Sequence, residues 1–290
     1  MRAGRASRTA EHNALFRALE TARPGVLFAD PLAEAFLSPS LHAVAVLARM
    51  PPAGAAVRRA IDHRWPGVRT SVVARTRLID GVVAERAGGV GHVVVLGAGF
   101  DTRPYRLPDL APLPVFEVDH PDTQRRKREV LRRRGVTADH VRFVATDFER
   151  DDLDASLAAG GHDRTVPALL LWEGVTNYLD AAAVEAGLRW CAGAAPGSTL
   201  VFTYVDRALL LEPGRYVGAD RLVATLRRTG EDLTFGMAPE EVPAYLAGLG
   251  LALERDLGAA EYRALAYGDA SRGMRGHEFY RVAVAGVPAP

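Results

Sequence analysis

One local feature restricts the fold of this 290-residue chain more than any other: the apolar run Val93-Val-Val-Leu96 passes directly into Gly97-Ala-Gly99. Without side chains, the backbone can turn sharply there and approach a ligand closely. Asp119 stands twenty-two positions after Gly97, at the end of the next β-rich run, Phe116-Glu-Val-Asp119. A carboxylate about 20 residues beyond such a turn has the spacing of the ribose-binding acid in a doubly wound α/β sheet, where two vicinal hydroxyls donate to one carboxylate. Further β-rich runs continue along the chain, giving strand candidates at 92–96, 114–118, 141–145, 168–172, 199–205, 251–255 and 279–285, mostly separated by helical patterns. Runs apolar on both faces and joined by helical crossovers predict a parallel sheet covered on both sides.

The remaining segments divide around that sheet. Up to about residue 86 the apolar residues recur at helical spacing, as in Ala14, Leu15, Ala18 and Leu19, with Asp30-Pro31 and Pro51-Pro52 as breaks. A polar, arginine-rich stretch runs from Val205 to about Thr234, then a helical pattern over 239–249 and a long link over 258–276. The division predicted is a helical cap over 1–86 and a cofactor-binding core over 87–290, carrying a lid insert at about 206–236.

Composition removes several function classes. With 36 basic and 35 acidic residues the formal charge is +1, so no overall field draws the chain to nucleic acid or to an anionic membrane. The run from Arg125 to Arg134 reads as a solvated helix face. Cys191 is the single cysteine, which rules out an internal disulfide and a cysteine-based metal site. The histidines lack metal-ligand spacing, and no metal is expected. No run approaches about 18 unbroken apolar residues. A cytoplasmic protein, monomer or homodimer, is the expectation.

The identity of the nucleotide turns on the residues just after the glycines. The third position of a Gly-x-Gly-x-x-Gly pattern is Thr102, and Asp101 would set a negative charge against a pyrophosphate. This disfavours a dinucleotide, although an NAD(P)-dependent oxidoreductase stays open as the alternative. S-adenosylmethionine has adenine and ribose but no phosphate, and tolerates an acid in the turn.

Longer blocks carry a resemblance. Val94-Val-Leu-Gly-Ala-Gly-Phe-Asp-Thr-Arg-Pro-Tyr-Arg-Leu107 is similar to the cofactor motif of the leucine carboxyl methyltransferase-like family of S-adenosylmethionine-dependent methyltransferases. Val115-Phe-Glu-Val-Asp-His-Pro121 with Lys127, Val144-Ala-Thr-Asp-Phe148 and Trp172-Glu-Gly-Val-Thr-Asn-Tyr178 resemble later motifs of that family, and Arg17-Ala-Leu-Glu20, Asp30-Pro-Leu-Ala33 and Ala74-Arg-Thr-Arg77 earlier ones. The resemblance implies a class I methyltransferase fold: a Rossmann-like, doubly wound seven-stranded sheet whose last strand is antiparallel.

It also implies roles. Arg75 would bind the methionine carboxylate of the cofactor, Gly97, Ala98 and Gly99 would make room for it beside Asp101, and Asp119 would hold the ribose. His120 would pack around the adenosine, Asp147 would accept from the adenine amino group, and Phe148 would lie against the ring. Glu173 would face the methionyl amine, with Tyr178 closing the same wall. For the methyl acceptor, Tyr204, Arg207, Arg215 and Tyr216 are the orienting candidates. The activity implied is O-methylation of a carboxylate, or of a hydroxyl, on a small-molecule or peptide-derived metabolite, in bacterial natural product biosynthesis. A carboxylate is ionised at neutral pH and needs only a cation to orient it, whereas a hydroxyl profits from a base. No base is evident in the sequence, which favours the carboxylate. A cofactor-binding protein without turnover is the third alternative.

Overall fold

The computed structural model describes residues 8–148 and 150–289. Seven strands form one sheet: β1 His92–Leu96, β2 Val115–Asp119, β3 Val141–Ala145, β4 Ala168–Trp172, β5 Thr199–Val205, β6 Ala252–Gly258 and β7 Tyr280–Gly286. Their order is β3-β2-β1-β4-β5-β7-β6. The first five strands pair in parallel, and β7 runs antiparallel to both β5 and β6. This is the seven-stranded, doubly wound sheet with an antiparallel last strand that the resemblance implies. Strand order reverses between β1 and β4, and ligands bind at the carboxyl ends of strands at such a switch point.

Alternation along each strand divides the core between two layers. Val94, Leu96, Leu170, Trp172, Leu200, Phe202 and Tyr204 face one side, packing with Leu157, Val184, Leu188, Cys191, Val242 and Leu246. Those partners lie on α7 Leu153–Ala159, α8 Ala181–Ala192 and α11 Val242–Gly248. Val93, Val95, Leu169, Leu171 and Val201 face the other side. There they meet Ala74, Ile79, Val82 and Val83 of α4 Val68–Arg86, and Ala259 and Tyr262 of α12 Ala259–Tyr267. Each such aliphatic side chain contributes about 1.5–3 kcal/mol by burial, so both faces must be covered for the sheet to be stable.

Ahead of α4, the helices α1 Arg8–Thr21, α2 Pro39–Leu47 and α3 Pro51–Arg64 form the amino-terminal helical region. Leu15, Phe16, Leu19, Ala45, Ala48 and Val72 make a smaller core of their own there. α4 therefore belongs to both units, with one face in that cluster and the other on the sheet. Within the sheet unit, α5 Arg103–Arg106 comes after the glycine turn and α6 Pro121–Arg133 after β2. After β5 come α9 Ala208–Leu211 and α10 Ala219–Thr229. The long 258–276 link carries helix α12, whose Tyr262 anchors it under β7. Among the described residues no helix is long and apolar enough to cross a membrane.

Candidate functional site

The glycine turn sits at the carboxyl end of β1, as the sequence predicted. Gly97 and Gly99 take φ values of +67° and +44°, in the left-handed region that favours glycine. A Cβ on Gly97 would stand 2.4 Å from Val175 Cγ2, whereas one on Gly99 would have nothing nearer than the Gly97 carbonyl at 3.8 Å. The turn is packed behind Gly97 and open at Gly99. Asp119 ends β2 beside it: the Gly99 N–H donates to Oδ2 and the His120 N–H to Oδ1, at 2.6 Å. Burial pushes this carboxyl up, and the two N–H donors oppose that. His120 caps α6, its Nδ1 accepting from the Asp122 N–H at 3.2 Å. Asp147 lies just past β3, whose register brings it next to this edge, since the Thr146 N–H donates to the Asp119 carbonyl at 2.9 Å. Phe148 packs half-buried against the core cluster that includes Leu157.

On the other side of the turn, six ionised side chains form one buried network. Arg75 of α4 donates through Nε to Glu173 Oε1 at 2.7 Å. Arg103 Nη1 donates to Glu173 Oε2 at 2.7 Å and to Asp101 Oδ2 at 2.8 Å, while its Nε reaches Asp80 Oδ1 at 2.8 Å. Arg106 forks onto both oxygens of Asp80 at 2.8 Å. Three guanidiniums thus face three carboxylates. Burial alone would raise both acids of the site, but Arg103, with Arg75 for Glu173 and Lys127 for Asp101, holds each carboxyl down at about 2. Each oxygen of Glu173 and of Asp101 accepts one of these hydrogen bonds or that of the Arg103 backbone N–H and keeps a second lone pair, so a bound ammonium group can still be accepted there.

Three of these residues carried no assigned role in the sequence: Arg103, Asp80 and Arg106. Arg103 lies inside the block that carried the cofactor resemblance, but its partners Asp80 and Glu173 are distant in sequence. The earlier blocks find a structural reason here too. Arg17 Nε pairs with Asp30 at 2.8 Å and its Nη2 reaches the Phe100 carbonyl at 2.7 Å, while Thr102 Oγ1 donates to Asp30 at 2.6 Å. These contacts brace the loop between the turn and α5.

A pocket of about 860 Å³, open mouth included, adjoins this network at Arg75 and Gly174. Its walls come from α1 (His12, Phe16), α4 (Val68, Val72), α10 and its end (Leu222, Leu226, Glu231), and the segment before β7 (His277, Phe279). Tyr178 and Asn177 complete it beside Gly174. Burial raises the Tyr178 hydroxyl, which therefore stays protonated as a donor. Glu231 joins insert to cap, its Oε2 accepting from the Thr9 N–H at 3.2 Å and from the Thr9 hydroxyl.

Four acceptor candidates fall elsewhere. Tyr204 is fully buried, its hydroxyl donating to Asp256 of β6 at 2.7 Å. The cause is strand periodicity: Val205 lines the pocket, so Tyr204 faces the opposite layer. Arg207 is at the surface and pairs with Glu241 at 2.7 Å. Arg215 is exposed beside Tyr216, whose hydroxyl donates to Asp206 at 2.7 Å. Among the described residues Arg75 is the one arginine lining the pocket. The Arg125–Arg134 run lies on α6, where Lys127 turns inward to Glu117 at 2.8 Å while Arg125 and Arg133 pair with Asp122 and Glu129 at the surface. No group of three potential metal ligands occurs among the described residues.

Comparison with known proteins shows the family and the fold. The sequence profile described as leucine carboxyl methyltransferase matches residues 10–192, and the chain belongs to that family. The cofactor of this membership is S-adenosylmethionine. A relative from Frankia alni, provisionally named an S-adenosyl-L-methionine-dependent methyltransferase, is 35% identical over 263 residues, spanning 89% of this chain and 87% of its own. A similarly named protein of Streptomyces coelicolor is 33% identical over 278 residues, 93% of this chain and 90% of the relative. Among solved structures, a DUF574-family protein from Streptomyces avermitilis superposes with a TM-score of 0.61 at 17% identity, covering 94% of this chain and 97% of that one. The structural likeness shows a common fold.

Proposed function

We propose that the protein transfers a methyl group to an oxygen of a small, largely apolar acceptor held between the helical cap and the insert after β5. The observation that carries this is the contact between the two sites: the pocket meets the buried ion network at Arg75, next to Glu173. Gly97, Gly99 and Asp119 fit the nucleoside end of the cofactor, and Arg75 and Glu173 its amino-acid end. When bound, the cofactor supplies a methyl group on a sulfonium, already activated for displacement. The chain's own residues bind, align and exclude water, an effect that for well-oriented partners is worth about 7–11 kcal/mol.

Pocket chemistry favours a hydroxyl acceptor over a carboxylate. An acceptor carboxylate needs a cation, and Arg75, the one arginine lining the pocket among the described residues, is taken up by Glu173 and by the amino-acid end of the cofactor. Phe16, Val68, Val72, Leu222, Leu226 and Phe279 make the walls mainly apolar, suited to a ring or short chain. The near-neutral charge, and the pairing of Arg125 and Arg133 on α6 with acids of the same helix, support a small acceptor and not nucleic acid. A cytoplasmic place in bacterial natural product biosynthesis fits this reading. The test is incubation with isotopically labelled S-adenosylmethionine and an extract of the source organism, with mass spectrometry of the products. A methylated product resistant to mild base is an ether and supports the hydroxyl reading. A base-labile ester would support the carboxylate, and the absence of any labelled product would contradict methyl transfer.

A further inference from the structure

We propose that His277 is the base of the reaction, its Nε2 taking the proton of an acceptor hydroxyl at the pocket wall. This rests on the methyl-transfer reading above and deepens it to the proton's destination.

His277 is held in a rare conformation. Its φ of +65° makes it the one non-glycine residue with positive φ among the described residues. Such a conformation is strained and persists only where the surroundings over-determine it. Here Gly67, at the start of α4, and Gly276 press against each other. A Cβ on Gly67 would lie 2.0 Å from the Gly276 carbonyl oxygen, and one on Gly276 would lie 2.3 Å from that of Pro66. That close approach fixes the turn preceding β7 onto α4 and places the imidazole on the pocket wall.

The ring's hydrogen bonds select its tautomer. His277 Nδ1 lies 2.7 Å from Ser71 Oγ, which lies 2.5 Å from the Tyr262 hydroxyl. The Tyr262 hydroxyl in turn donates to the Tyr280 carbonyl at 3.3 Å. A carbonyl only accepts, so the chain has one direction: Tyr262 donates to it, Ser71 donates to Tyr262, and Nδ1–H donates to Ser71. Nε2 is left with its lone pair, and among the described residues it has no hydrogen-bond partner.

The groups around the ring keep it neutral. It stacks on Tyr280 at 5.1 Å and meets Phe279 edge-on at 4.7 Å. The charged groups facing it are Arg75 of α4 and Arg263 of α12, and Glu278 on the same turn is taken up by Arg263 at 3.3 Å. Burial first, and then those two guanidiniums, hold the imidazole well below the usual histidine range. In the transfer step the methyl–sulfur bond breaks with its electron pair going to sulfur, the methyl–oxygen bond forms, and the hydroxyl proton ends on Nε2. One positive charge is lost at sulfur as another appears on the ring, so the site's total charge is unchanged.

The first test needs no acceptor. In the full chain labelled with [15N]histidine and loaded with S-adenosylhomocysteine, the ring-nitrogen shifts of His277, assigned by comparison with His277→Asn, distinguish a bare nitrogen from a protonated one. A bare Nε2 with a protonated Nδ1 at neutral pH is expected. A proton on Nε2, with Nδ1 bare or not, overturns the proposal. With the product found by extract labelling, His277→Asn, which tolerates the left-handed backbone, should turn over about 100-fold more slowly while S-adenosylhomocysteine affinity stays within about twofold. An unchanged rate overturns the base. Failure of the wild-type chain to bind S-adenosylhomocysteine would instead contradict the cofactor reading.

Discussion

Arg75 and Glu173, far apart in sequence, meet through a 2.7 Å hydrogen bond between Nε and Oε1, joining α4 to the end of β4. The same glutamate takes Arg103 on its other oxygen. Removing its charge leaves the buried Arg75 guanidinium without its counter-ion and leaves Arg103 with Asp101 and Asp80 alone, and stranding one buried charge typically costs about 3 kcal/mol or more. Glu173→Gln should therefore lower the denaturant midpoint as well as weaken S-adenosylmethionine binding. Calorimetry and urea unfolding of the same sample separate the two effects.

Acid should act through the same network. Glu173 and Asp101 have folded-state carboxyls at about 2, below their ordinary values of 4.5 and 3.8. A depressed carboxyl contributes stability in full above the unfolded-state value and loses it as the pH falls toward the folded one. Unfolding free energy measured from pH 6 downward should thus fall between about pH 4.5 and pH 2, and Glu173→Gln should make that decline shallower. A decline of equal steepness in the variant would show that Glu173 is not its source.

Gly97→Ala meets two obstacles, the positive φ and the Val175 methyl 2.4 Å from the new Cβ. A destabilisation of about 1–3 kcal/mol is expected, together with weaker cofactor binding. Adding Val175→Ala should restore the steric part and leave the backbone part, which a double-mutant cycle of unfolding free energies resolves.

Tyr204→Phe tests the reassignment of that side chain to the core. It loses the hydrogen bond to Asp256 and should cost about 1 kcal/mol of stability. Cofactor affinity should be unaltered, because the ring faces the layer of α8 and α11. A marked loss of affinity without loss of stability would return Tyr204 to the site.

The strands and the glycine turn were legible because their signals are local. An apolar run read at 168–172 and a turn at Gly97 need only neighbours in sequence, and all seven strands stand within a few residues of their predicted places. Tyr204 was misplaced by one step of a two-residue period: the end of β5 was right, the face was not. Arg207 and Arg215 were expected to grip an acceptor, but they solvate the insert's surface, where a charged head stays in water at little cost. His277 left no sequence signal beyond the glycine before it, since its partner Ser71 lies 206 residues away. Arg103 was hidden similarly, its role depending on Asp80 and Glu173 converging from two other elements.

The central claim is that the turn at Gly97 and the acid at Asp119 hold S-adenosylmethionine. Titration calorimetry of the wild-type chain and of Asp119→Ala with S-adenosylmethionine and with NAD tests it most directly. The structure predicts saturable S-adenosylmethionine binding, far tighter than NAD, and weaker by about 2 kcal/mol in Asp119→Ala, where a carboxylate acceptor is lost. Tighter binding of NAD, or equal S-adenosylmethionine affinity in the variant, would contradict it.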